Sequence, residues 1–129
     1  MMYLPSMKVL VDLHNQARSD ASWMWTINPL SIDDKLMRYA QDWVDNMAQR
    51  NRMVHSSMRD IMQLGFSPVG ENIAWGQKDE KSVMSAWLWS PGHRANIMST
   101  SYNLIGCGAA YSSSDRLYWC VVFGKIKNF

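Results

Sequence analysis

The C-terminal end of the chain limits its possible folds most. Leu104 to Tyr111 and Leu117 to Phe123 are two runs rich in β-formers with small residues interspersed, and Ser112 to Asp115 separates them. Runs of that length around a polar turn predict a β-hairpin. A lone hairpin is marginal in water and needs a further strand or a packed helix. The remainder of the chain must therefore cover it.

That remainder reads mainly as helix. Met7, Leu10, Val11, His14 and Ala17 recur at helical spacing, which predicts a helix over Pro5 to Asp20 with Pro5 near its first turn. Ala21 to Ser31 is irregular and carries Trp23, Trp25 and the Asn28-Pro29 breaker. Leu36, Ala40, Trp43, Val44 and Met47 form one apolar stripe opposite Lys35, Arg38, Asp42, Asp45 and Gln49. This is an amphipathic helix over Asp33 to Asn51, capped by Ser31 or Asp33. Ser57 to Leu64 predicts a short helix ended by Gly65 and Pro68. Gly70 to Gly76 reads as a short extended piece, and Asp79 to Trp89 as a helix with Val83, Ala86 and Trp87 inward. Ser90-Pro91 then starts a short helix to Met98, with Ser90 as its cap. Helices first and a hairpin last, with a third strand near Ile73, predict an α+β fold with a mostly antiparallel sheet.

The 129 residues fit one domain, 1–129, without repeats or linkers. Hydrophobic residues are 47% of the chain, enough for an ordinary core. Charged residues are 19%, the net charge is +2, and the basic residues are scattered, so no nucleic-acid partner is expected. No apolar run is long enough to span a membrane, and Met1 to Lys8 lacks the pattern of a signal peptide. The seven Trp are many for this length, and read either as a core rich in bulky residues or as several half-exposed rings around a cleft or a partner surface. Cys107 and Cys120 lie symmetrically about Ser113-Ser114. They are expected to face each other across the hairpin, either bridged or as two buried thiols.

Four stretches together resemble the CAP superfamily, the SCP-like domain of cysteine-rich secretory and pathogenesis-related proteins. They are Leu13-His14-Asn15-Gln16-Ala17-Arg18; His55-Ser56 after a helix with Ala40 and Trp43; Gly70-Glu71-Asn72-Ile73-Ala74-Trp75-Gly76; and Trp87 through Met98, followed by Tyr102, Ile105-Gly106-Cys107-Gly108 and Tyr118-Trp119. Ser90-Pro91-Gly92-His93-Arg94-Ala95-Asn96-Ile97 is similar to the bacterial branch. The resemblance implies a three-layer α-β-α sandwich and an extracellular or surface location. It also implies a cleft where histidines and acidic residues converge, here His55, Glu71 and His93. Ser90 stands where animal and plant members often place a second glutamate. Ser90, Asn72 and Tyr102 are expected to border the cleft.

As chemistry, two neutral imidazoles and a carboxylate can hold zinc or another divalent cation, leaving a fourth position for water or ligand. The same three side chains can instead be a hydrogen-bonded cluster that orders the loops, with Glu71 binding backbone N–H groups. His93, near a helix N-terminus, is expected neutral. His14 is expected to be a satisfied core histidine. Asn15 with Arg18, and Asn72 with Asn96, are expected to tie loops together. No Gly-x-Ser-x-Gly elbow is present. Three functions compete. The first is a binding module for a small molecule, lipid or protein, with or without a divalent ion. The second is a metal-dependent hydrolase on the same cleft. The third is a structural or adhesion part of an envelope or virion.

Overall fold

The computed structural model describes residues 2–127. Five helices and four strands follow in the order α1 (Met7–Asp20), β1 (Ser31–Ile32), α2 (Asp34–Arg50), α3 (Met58–Gln63), β2 (Phe66–Trp75), α4 (Glu80–Trp89), α5 (Pro91–Met98), β3 (Leu104–Tyr111) and β4 (Leu117–Ile126). The strands form one sheet in the order β1-β3-β4-β2. Only β1 runs parallel to its neighbour. Sequence reading takes residues 21–31 as irregular and so misses β1. Two residues have no period to detect.

Local chemistry explains the helix ends. Ser6, Asp33 and Asp79 each place a side-chain oxygen on a backbone N–H of the first turn, which satisfies a donor that the helix leaves open. Asn51 ends α2 in the left-handed conformation, φ 49°, a role for which Asn is second to Gly. Ser90 departs from expectation. It has N-cap dihedrals, but its side chain caps no N–H of α5.

The central strand β4 is buried on both faces, and its alternation sorts the core in two. Leu117, Trp119, Val121 and Phe123 face a cluster with Leu10 and Val11 of α1, Val83, Met84 and Trp87 of α4, and Ile97 of α5. Tyr118, Cys120 and Val122 face Leu36, Ala40, Val44 and Met47 of α2 and Ile61 of α3. The result is an α-β-α sandwich. Each fully buried Leu, Val, Ile or Met contributes about 1.5–3 kcal/mol. One layer approaches the sheet very closely. A Cβ on Gly106 would stand 2.1 Å from the Leu36 carbonyl carbon, and one on Gly108 2.7 Å from the Gln41 Cα. The α2 backbone therefore lies directly on β3.

The hairpin register corrects the cysteine expectation. Gly108 pairs with Cys120, and Cys107 with Val121. A one-residue difference in register moves a side chain to the other face. Cys107 joins the α1/α4/α5 core and Cys120 the α2/α3 core. Both are free, buried thiols, with no bridge.

Loop-tying residues act as expected. Asn15 holds Leu30 through both its backbone groups, at 2.7 and 3.0 Å. Buried Arg18 donates to the carbonyls of Asn28, Ile97, Ser99 and Tyr102. His14 is fully buried, but only half satisfied. Nδ1 lies 2.7 Å from the Leu10 carbonyl, while Nε2 has no partner among the described residues.

Candidate functional site

The site forms around the outer edge of the sheet, where β2 is the last strand. Glu71 and Asn72 are consecutive in β2 and point to opposite faces. Glu71 turns toward the loop between α2 and α3. Its Oε1 accepts from the Ser56 backbone N–H at 2.9 Å and from His55 Nδ1 at 2.8 Å, and its Oε2 accepts from the Ser56 hydroxyl. Asn72 turns toward α5. Its Nδ2 donates to the His93 carbonyl at 3.0 Å, and its Oδ1 accepts from Asn96 at 2.9 Å. The strand thus braces one histidine from each layer.

The two imidazoles differ. The Glu71 side chain is fully buried and that of His55 is 59% exposed. A carboxylate on Nδ1–H fixes the tautomer and leaves Nε2 as the outward nitrogen of His55. His93 is half-buried, with Nδ1 2.8 Å from Ser90 Oγ. Burial, then the nearby charge of His55, hold its pKa below the ordinary value. Desolvation disfavours the charged form of this ring, the same direction as the helix dipole invoked from sequence.

Beside His93 lies a cavity of about 250 Å³ whose walls include Met53, Ile73, Trp75, Trp87, Ser90 and His93. Trp87 spends its indole N–H on the Ile73 carbonyl, 3.1 Å away, and presents only ring to the hollow. Arg116 sits 4.1 Å above the ring of Trp75, a cation–π contact that fixes that wall. A larger hollow, about 680 Å³, lies between the start of α2 and the ends of β2 and β4, beside Asp33, Lys35, Arg38 and Lys127. No histidine lines it, so the smaller cavity is the one associated with the site's chemistry.

Not every expected residue borders this cavity. Ser90 and His93 do. Asn72 is fully buried behind it as a brace. Tyr102 stacks on Phe123 at 5.6 Å and donates its hydroxyl to the Val69 carbonyl, on the inner side of β2. Met53 and Gln77 also line the cavity, and nothing in their local sequence marks them.

Among the described residues no three His, Cys, Asp or Glu side chains converge to hold an ion. The reason is the orientation of Glu71, whose two oxygens already receive the His55 loop. The Ser90 hydroxyl lies on His93. That leaves two imidazoles, where a structural zinc site uses four protein ligands and a catalytic one three.

An α-β-α sandwich with a histidine from each outer layer braced on one edge strand defines an SCP-type domain. The chain belongs to the CAP family: the model described as "Cysteine-rich secretory protein family" matches residues 11–123. It is 34% identical over 115 residues to the uncharacterized protein YkwD of Bacillus subtilis, covering 83% of this chain and 43% of that protein. It is 34% identical over 101 residues to pathogenesis-related protein 1C of Nicotiana tabacum, covering 76% and 52%. The chain spans about half the length of these curated relatives. Among solved structures, an outer surface protein from Borrelia burgdorferi superposes with TM-score 0.83 at 26% identity, over 94% of this chain and 92% of that one. No helix among the described residues is long and apolar enough to cross a membrane.

Proposed function

We propose that this chain is a CAP binding module that takes a small, largely apolar ligand in the cavity beside His93, in an extracellular or surface setting. The observation that carries the reading is the cavity. Apolar walls from Ile73, Trp75 and Trp87 meet a few polar residues, Gln77, Ser90 and His93, the usual composition of a small-molecule site. Lipid acyl groups and aromatic side chains of a partner share that chemistry. This reading does not depend on zinc or another divalent cation, nor on a metal-dependent hydrolase activity.

The test uses 1-anilinonaphthalene-8-sulfonate, an apolar fluorescent probe. Ala86 lines the cavity from the exposed side of α4, so Ala86→Trp fills the hollow without touching the core. Saturable one-to-one binding that weakens at least tenfold in Ala86→Trp is expected. Binding unchanged by that substitution would overturn the reading.

A further inference from the structure

Ser90 combines three properties that a structural cap would not need together. Its hydroxyl is within hydrogen-bond distance of an imidazole, 2.8 Å from His93 Nδ1. Both side chains line the same apolar cavity. And the hydroxyl leaves the start of α5 uncapped. The first helical bond there is from Arg94 N to the Ser90 carbonyl, and Pro91 has no N–H. The N–H groups of Gly92 and His93 hold the positions from which an N-cap side chain ordinarily accepts, and the Ser90 side chain does not engage them.

We propose that Ser90 is an acyl-accepting nucleophile with His93 as its base, and that the cavity takes the acyl part of short-chain or aryl carboxylic esters. This rests on the cavity being a ligand site. Ser90 Oγ attacks the ester carbonyl carbon as its proton passes to His93 Nδ1. The oxyanion forms at the N–H groups of Gly92 and His93, donors held in place before charge develops. The carbon–oxygen bond to the alcohol breaks, and the alcohol leaves with the proton from His93. Water then attacks the acyl-serine, gives a proton to His93, and releases the carboxylic acid as Ser90 regains its hydrogen. Every atom comes from ester, water and the two side chains.

The pair is a dyad. Glu71, the carboxylate that would complete a triad, is engaged by His55 and Ser56 on the other face of β2. Turnover is correspondingly slow and acylation is the step to observe.

The full chain is treated with p-nitrophenyl butyrate and, separately, with an alkyl fluorophosphonate, followed by intact-mass and peptide-mapping mass spectrometry. One adduct on Ser90 is expected. It should be absent in Ser90→Ala and slowed about a hundredfold or more in His93→Ala and His93→Gln, the usual contribution of a positioned base. Circular dichroism checks that the variants are folded, and Ser90→Thr keeps a hydroxyl should Ser90→Ala unfold. No adduct on wild-type Ser90, or equal labelling without His93, would overturn the proposal. Anilinonaphthalenesulfonate binding is read on the same samples. Probe bound without acylation sinks this inference alone, and neither signal sinks the ligand cavity as well.

Discussion

Glu71 and Asn72 are neighbours in β2 that brace opposite layers of the sandwich, one through the Ser56 backbone and His55, the other through the His93 carbonyl and Asn96. Removing either should free only its own histidine. Glu71→Ala strands the Ser56 N–H and hydroxyl, and a buried donor without a partner costs about 1–3 kcal/mol. A total loss of about 2–4 kcal/mol is expected, with the imidazole nitrogen resonances of His55 shifting and those of His93 staying. Asn72→Ala should do the reverse at a smaller cost. Denaturant titration with nitrogen-detected NMR separates the two. Both histidines moving in both variants would contradict independent bracing.

Acid should weaken the fold through His14. Burial lowers its pKa from 6.5 to about 4. Between those values the unfolded chain binds a proton that the folded chain refuses. Stability therefore rises with pH across this window and falls as pH drops from 6.5 toward 4, by about 3 kcal/mol. Urea midpoints at a series of pH values measure the slope. His14→Leu should flatten this component, and an unchanged slope in that variant would assign the acid response to other groups.

Gly106→Ala and Gly92→Ala should differ sharply. The first drives a methyl group into the Leu36 backbone at 2.1 Å, while the second meets nothing within 4 Å. Overpacking against backbone costs about 1–3 kcal/mol or more, so Gly106→Ala should lower the melting temperature strongly or prevent folding. Gly92→Ala, on an open helical surface, should be neutral or stabilise by up to about 1 kcal/mol. Thermal unfolding of the two variants is the check.

Reductant should leave the melting temperature unchanged, because Cys107 and Cys120 are unbridged. Their burial pushes both thiols up from the ordinary range, so neither is a ready nucleophile. Ellman's reagent should label both thiols only after denaturant is added, and a fast reaction in the native protein would contradict the buried placement.

The helices and the sheet were legible where periodicity ran long enough. Leu36, Ala40, Val44 and Met47 define one face of α2, and capping chemistry offered Ser31 or Asp33 as its start, of which Asp33 is the cap. The hairpin was legible as an element but not in register. The turn chemistry around Ser112 to Arg116 shifts the pairing by one residue, enough to part the cysteines. The loop-tying roles of Asn15, Arg18 and Asn96 could be read from residue type. The direction of Glu71 could not, because alternation says that Glu71 and Asn72 face opposite ways, but not which layer each faces. The aromatic content was ambiguous for the same reason. Trp87 and Trp119 are core, whereas Trp23 and Trp89 stand 80% and 87% exposed.

Gly106 and Gly108 carry a consequence for how the molecule can vary. Where α2 crosses Gly106 and Gly108 of β3, the separation is a backbone dimension, with no β3 side chain there to shorten or lengthen. The far layer instead stands off on bulky rings, Trp87 and Trp119, which substitution can resize. Substitution can therefore resize the α4 and α5 side of the sandwich, while the glycine-faced crossing keeps α2 at a fixed height above β3.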